Sequence, residues 1–373
     1  MNSAIIFIKN DKELQLTKAK ILGETIVEYV IHELKRLDLD NLYLVGGKEL
    51  NFEDVINRRD INDIIKDLSD KEGKCLFVSP FYPLLPKKDY LKLINSEDKD
   101  GAVLIDEDGA CATFMLPNNK LKTYDKCDLS KLSVVKTKEK RINTFPEVAE
   151  FADNIKLQIN SKLIDKGVNI VDPYSTYISI ETTIDKNTTI YPGVIIEGKC
   201  KIGKDNNITG NTYLTNVTIG DNNSIDASRI SDSTIHNNCH IGPFAQIRNN
   251  SKLADEIRIG NYVEIKNSTI GDKTRIAHLA YIGDATVGDD VNIGCGAVTI
   301  NYDGSKKYPT VIKNHAFIGS NANLIAPITI GEYSMVAAGS TVNHDVADGD
   351  MAISRLYQTN KKGYGFRYIN KEN

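Results

Sequence analysis

Residues 241–265 read IGPFAQIRNNSKLADEIRIGNYVEI, with an aliphatic side chain at every sixth position: Ile241, Ile247, Leu253, Ile259 and Ile265. The same step runs through Ile184, Ile190, Ile196, Ile202 and Ile208, and again through Ile312, Ile318, Leu324, Ile330, Val336 and Val342. Between these runs the step slips to five, as from Ile265 to Ile270 and from Ile282 to Val287. Glycine often follows the aliphatic residue, as in Ile202-Gly203, Ile241-Gly242 and Ile259-Gly260. A helix needs apolar spacings of three and four, and an isolated strand needs strict alternation. A period of six is a short strand and a turn repeated, the pattern of a hexapeptide β-helix. Three such strands make one triangular coil of about 18 residues, so positions 180–345 supply about nine coils.

A chain of 373 residues has room for two domains, or for one domain and a repeat array. Its 41% hydrophobic and 26% charged residues are ordinary for a soluble protein. A formal net charge of −4 gives no electrostatic basis for binding nucleic acid or an anionic membrane surface. No apolar stretch is long enough for membrane insertion. The opening Met1–Lys9 has a short strand-like apolar run, a basic residue after it and no cleavage site, so a cytoplasmic protein is expected. Six cysteines (75, 111, 127, 200, 239 and 295) show no CxxC or His-rich pattern, which argues for buried or half-buried thiols rather than disulfides or zinc ligands.

Residues 1–145 read as an α/β domain. Ala4–Ile8, Leu42–Val45, Cys75–Val78 and Ala102–Ile105 are short and apolar, as strands are. Glu24–Leu37 sets Ile26, Val27, Val30, Ile31, Leu34 and Leu37 at helical spacing. Alternating strands and helices predict a parallel sheet with crossovers. A connecting helix is expected within 146–167, the repeats over 168–346, and a C-terminal arm over 347–373. The arm carries a basic, aromatic stretch, Lys361–Tyr368, ordered only where it packs on something.

A repeating coil needs little besides its aliphatic stack and turn residues, so surplus polarity or a break in period marks functional candidates. The densest departure is Ile276-Ala277-His278-Leu279-Ala280-Tyr281, followed by Asp290–Gly296 with Asn292 and Cys295. Next, Ile300–Pro309 opens the coil into a loop of about ten mostly polar residues that includes Asn301, Tyr302 and Lys307. Upstream, Arg248 and Lys266 stand one coil apart, where stacking brings two cations to one face, a seat for a phosphate. The other histidines of the repeat half, His236, His240, His315 and His344, read as solvated turn residues.

The segments IGPFAQIR, GNYVEIKNS, AHLAYIGDATVGDDVNIGCG, TINYDG and AISRLYQTNKKG, in that order, carry a specific resemblance. Residues 241–355 resemble the acetyltransferase half of the bacterial bifunctional glucosamine-1-phosphate N-acetyltransferase / N-acetylglucosamine-1-phosphate uridyltransferase family. The resemblance implies a left-handed β-helix and a homotrimer whose sites lie between neighbouring subunits. It implies acetyl-CoA as co-substrate and an amino-sugar phosphate as acceptor, the product feeding UDP-N-acetylglucosamine and cell-wall synthesis. His278 matches the catalytic base, Arg248 and Lys266 the residues gripping the phosphorylated sugar, and Tyr281 and Asn292 the pair that positions it. Asn301 and Tyr302 match the loop bordering the thioester, and Lys307 the basic residue after it. Cys295, Ser320, Ala338 and Arg355 fall at acetyl-CoA positions; the family usually has Ala where Cys295 stands.

The first half resembles the uridyltransferase half only in outline, as a shortened nucleotidyltransferase-like domain. That half of the family carries a Gly-rich phosphate loop after its first strand, whereas Ala4–Ile8 runs into Lys9-Asn10-Asp11-Lys12-Glu13 and no glycine precedes Gly23. The family's magnesium-binding Asp is replaced by the Ser79-Pro80-Phe81-Tyr82 stretch, and Asn154, at the second ligand position, cannot hold Mg²⁺ alone. A degenerate domain without uridyltransfer is therefore expected, with Mg²⁺ not required. Full bifunctional activity, another amino-sugar phosphate, or a non-catalytic trimeric sensor are the alternatives.

Overall fold

The computed structural model describes residues 2–47 and 49–366; Arg367 and Tyr368, at the end of the basic aromatic stretch, lie outside the described residues. The chain divides into two compact units that meet between Ile159 and Asn160.

In the first unit β1 (Asn2–Phe7) leads into α1 (Asp11–Thr17), a small hairpin of β2 (Lys20–Ile21) and β3 (Glu24–Thr25), and α2 (Ile26–Lys35). There follow β4 (Asn41–Val45), β5 (Ile56–Arg58), α3 (Ile61–Leu68), β6 (Lys74–Val78), α4 (Lys87–Ile94), β7 (Ala102–Ile105), β8 (Cys111–Pro117) and β9 (Ser133–Lys136). The sheet order is β5-β4-β1-β6-β8-β7-β9. The four expected strands form, but the sheet is mixed rather than parallel, because β8 runs antiparallel to both β6 and β7. Its cause is local: Asp106 Oδ1 accepts the N–H groups of Asp108 and Ala110, closing a tight turn that returns the chain beside β7. A parallel return would need a crossover of a dozen residues or more. α2 begins two residues later than the apolar spacing predicts, since Glu24 and Thr25 pair with β2 and the Glu28 carboxylate then takes the Thr25 N–H at 2.5 Å. Ile5, Ile64, Leu68 and Cys75 fill the core beneath this sheet.

The residues after β1 form no phosphate cradle. Asn10 caps α1, its Oδ1 accepting from Glu13 N, and Glu13 in turn takes the Lys9 N–H at 2.7 Å. Backbone donors that could face a phosphate are spent on starting a helix.

α5 (Phe145–Asp165) leads into the second unit, and Glu147 accepts the N–H groups of Asn143 and Thr144 at its start. The repeats then build three all-parallel sheets of 11, 10 and 9 strands. They enclose nine complete triangular coils, the number the period predicts. We call the faces first, second and third, beginning at Asn169–Ile170, Tyr177–Ile178 and Thr183–Ile184. Aliphatic residues stack in register inside the prism: Ile190 on Ile208, Ile208 on Ile225, Ile259 on Ile276. Each is buried, stabilising the stack by about 1.5–3 kcal/mol. The corners turn through positive φ, and Asn and Asp take most such places, as at Asn187, Asp205, Asn222 and Asn238. Glycine follows the aliphatic residue for lack of room: a Cβ on Gly260 would lie 1.8 Å from the Ala277 carbonyl of the next coil. His240 stands exposed on a strand, not at a turn as expected, while His315 does occupy a corner.

Candidate active site

His278 ends the strand Arg275–His278 on the first face, two residues past the buried Ile276. The equivalent positions of the neighbouring coils are Asn261, Cys295, Ser320 and Ala338, each two residues past Ile259, Ile293, Ile318 and Val336. Strand register sets Asn261 beside His278, and the corner is knitted by Asn321 N donating to Cys295 O and Gly339 N donating to Ser320 O. These residues form a column along the corner between the first and second faces. Three coil steps at about 4.8 Å each carry it some 14 Å from His278 to Ala338. Arg355 reaches back to the same column, its guanidinium donating to the Ala338 carbonyl.

His278 is solvent-exposed, and its Nδ1 lies 2.7 Å from Asn261 Oδ1. A carboxamide oxygen only accepts, so the contact puts the proton on Nδ1 and leaves the Nε2 lone pair free toward solvent. Sequence reasoning passed over Asn261, which looks like any other corner asparagine.

A second cluster stands at the corner between the second and third faces. Arg248 and Lys266 are register partners on adjacent strands. Arg248 holds Glu264 through Nε at 2.9 Å and Nη2 at 2.6 Å. Lys266 is buried and pairs with Asp284 at 3.1 Å. Burial opposes ionisation of Asp284, but Asn267, Lys266 and Asn301 outweigh it and hold its carboxyl below the usual range. The loop that interrupts the repeat folds over this corner. Its tip is a turn built on Asp303, which accepts from Ser305 N and Lys306 N, while Tyr302 and Lys307 bridge across it. The neighbouring Lys266, a like charge, pushes the Lys307 ammonium below the ordinary lysine range, and Arg248 adds to the repulsion. Three cations share this corner with the Glu264 and Asp284 carboxylates, which pair Arg248 and Lys266, so the positive charge left for an incoming anion centres on Lys307. Lys307, Tyr308, Asn267 and Asp284 line a cleft of about 490 Å³ there.

Tyr281 connects the two corners. It pairs with Glu264, and its ring lies along the strand over Gly283, where a Cβ would sit 2.4 Å from the Tyr281 oxygen. Asn292 lies apart, on the first face between Arg275 and Phe317. Asn301 bonds to Asp284, which places it with the three cations and away from the Cys295–Ser320–Ala338 column. Within one chain the candidates thus fall into two groups. His278 and Gly283, the register partner of Lys266, are five residues apart around the turn at Leu279, so their separation is below the roughly 16 Å of an extended chain.

Phe244, Tyr262 and Leu279 also stack along the His278 corner, each more than half exposed and each at positive φ, with the first two rings 5.4 Å apart. Bulky side chains in that backbone region are strained, and the fold accepts this at three successive coils.

A parallel β-helix of six-residue repeats that carries an imidazole, a cation cluster and a loop at its corners has the build of a hexapeptide transferase. The family description "Bacterial transferase hexapeptide (six repeats)" fits residues 232–267 and 309–344. More narrowly, about three fifths of the chain is similar to bifunctional GlmU proteins. The chain is 48% identical over 232 residues to the bifunctional protein GlmU of a Geobacillus species, covering 62% of this chain and 50% of that one. It is 50% identical over 226 residues to the bifunctional protein GlmU of Caldicellulosiruptor saccharolyticus, covering 61% and 49%. The chain therefore spans about half the length of the curated relatives it matches. A solved UDP-N-acetylglucosamine acyltransferase from Campylobacter jejuni is 21% identical, covering 44% of this chain and 71% of that one, with a TM-score of 0.34. That score supports no reading, and the fold rests on the strand order above.

Proposed function

We infer that the repeat unit is an acetyl-CoA-dependent N-acetyltransferase acting on an amino-sugar 1-phosphate, glucosamine-1-phosphate in the first instance. The observation that carries this is the pairing of an imidazole, held by Asn261 with Nε2 free, with a corner of three cations. The first is the equipment for taking a proton from an amine, the second for holding a phosphate.

The amine lone pair attacks the thioester carbonyl carbon while its proton passes to His278 Nε2. The tetrahedral intermediate then breaks its C–S bond, and the departing thiolate takes the proton back, giving the amide and free CoA. No acyl-enzyme is needed, which leaves the Cys295 thiol no chemical role. Acetyl-CoA would lie along the Cys295–Ser320–Ala338 column with Arg355 beside it, and Tyr302 near the thioester. Asn292 and Tyr281 would position the sugar. Asn301 would work by holding Asp284 and the Lys266 corner.

The amine and the phosphate of such a substrate sit on adjacent ring carbons, whereas His278 and Lys266 of one chain stand at different corners of the coil. The two groups meet when a second copy brings its cation corner to the first copy's His278 corner, as in a closed homotrimer. The exposed column of Phe244, Tyr262 and Leu279 beside His278 supplies an apolar strip for that contact.

The first half, in this reading, does not make UDP-N-acetylglucosamine: its would-be phosphate loop is a helix, and Ser79, Pro80 and Phe81 stand where a metal carboxylate is needed. The test is thiol release from acetyl-CoA with glucosamine-1-phosphate and galactosamine-1-phosphate as parallel acceptors. Release with either supports the reading and names the sugar; silence with both, from trimeric protein, contradicts it and favours a sensor.

A further inference from the structure

Strand order in the first unit reverses at β1. The chain steps from β1 to β4 and β5 on one side, then returns to place β6 on the other. In open α/β sheets the crevice at the carboxyl ends of the two strands flanking such a reversal is where ligands bind. Here that crevice exists, a cleft of about 320 Å³ lined at the ends of β1 and β6 by Phe7, Lys9, Ser79 and Phe81, and across from them by Phe114, Tyr124 and Arg141. Its character is aromatic. The Phe77 ring stacks on Phe114 at 4.4 Å and 4°, and on Tyr124 at 5.5 Å and 11°. These three parallel rings form one wall.

The charges at the mouth are few and lean positive. Lys9 and Arg141 are exposed, and among the described residues neither is paired with a carboxylate; Arg141 lies over the Phe81 ring at 5.2 Å. The single carboxylate in the lining, Glu13, is engaged by the Lys9 N–H. Two free cations suit one anionic group. They do not offset a triphosphate, for which the cleft has neither a glycine cradle nor a metal carboxylate.

We propose that this cleft binds a small planar aromatic compound bearing one anionic group, its ring against the Phe77–Phe114–Tyr124 wall and its anion at Lys9 and Arg141. The shared chemistry fits an aromatic carboxylate or a nucleoside monophosphate. A ring in such a slot gains stacking as well as buried area, and a charge-assisted contact at the mouth orients it.

The test uses the full chain and saturation-transfer NMR, with indole-3-carboxylate, neutral indole, UMP and UTP–Mg²⁺ as probes. Binding of indole-3-carboxylate or UMP is expected, the two arms telling the sources apart, with UTP–Mg²⁺ weaker than either. Neutral indole, lacking the charged contact, should bind about tenfold more weakly than its carboxylate. Lys9→Gln with Arg141→Gln should weaken the anion by a similar factor and leave indole unchanged; both side chains are exposed, so the substitutions spare the core. The proposal is overturned if neither anion binds, if UTP–Mg²⁺ binds best, or if the double variant holds the anion as well as the native chain.

Discussion

Replacement of Asn261 tests whether the 2.7 Å contact to His278 sets the working form of the imidazole. In Asn261→Ala the Nδ1–H loses its acceptor, and the ring is free to turn or to carry its proton on Nε2, where it cannot act as a base. A neutral hydrogen bond contributes about 0.5–1.5 kcal/mol, a factor of roughly 2–13 in the populated form. Lost orientation adds to this, so kcat for acetyl transfer should fall about tenfold to a hundredfold. Both residues lie at the solvent-facing corner, so thermal unfolding should not move. Asn261→Asp separates orientation from charge. Its carboxylate still accepts from Nδ1–H, but an anion at that distance favours the imidazolium. A base must be neutral, so activity should be lost at the acid end first. The acid limb of kcat/KM should move up by about one pH unit or more, with near-native rates recovered in alkali. The assay is thiol release from pH 5.5 to 9.5. Native kcat in Asn261→Ala, or an acid limb that stays put or moves down in Asn261→Asp, would refute the reasoning.

Three further outcomes follow from the same geometry. Asp284→Ala strands the buried Lys266 and should cost about 3 kcal/mol in denaturant unfolding of the repeat unit at neutral pH. Because the folded-state carboxyl is held below its usual range, its contribution is present above the unfolded pKa and lost as pH falls through the folded one. The penalty should therefore shrink in acid, and an equal loss at pH 7 and pH 2.5 would contradict the pairing. Gly283→Ala puts a Cβ against the Tyr281 ring and should lower kcat/KM for the sugar phosphate about 10–100-fold with unfolding unchanged; native kinetics would show that the ring position does not matter. With UTP, N-acetylglucosamine-1-phosphate and Mg²⁺, no pyrophosphate should form, and its detection would restore the first unit as a uridyltransferase.

The repeat half was legible because a six-residue period admits one architecture, and because stacked coils turn sequence spacing directly into neighbourhood. Arg248 and Lys266 could be paired from their one-coil separation alone. The His278 column was harder: its members are spaced 17, 25 and 18 residues apart, since the loop after Ile300 adds residues without adding a coil. Asn261 and Asp284 escaped notice for a different reason. Corners turning through positive φ collect Asn and Asp everywhere, so Asp284 carries no distinguishing signal, and Asn261, at the end of a strand beside such a corner, is one asparagine among many. In the first half the alternation of strands and helices hid the reversed β8, although Asp106-Glu107-Asp108-Gly109 is a strong turn sequence. The division of the site between two corners was out of reach of spacing, because it depends on how far apart the prism sets them.

Mixed trimers test the central claim most directly. His278→Ala and Arg248→Ala are purified separately, then unfolded and refolded together in equal amounts, and thiol release with glucosamine-1-phosphate is measured before and after mixing. Each variant alone should be at least about 10²-fold slower than the native chain. In random trimers about one quarter of the shared sites pair a native His278 with a native Arg248, so the mixture should recover about that fraction of native activity. A mixture as inactive as its parents would contradict a site shared between chains, and full activity in unmixed His278→Ala would remove the base on which the account rests.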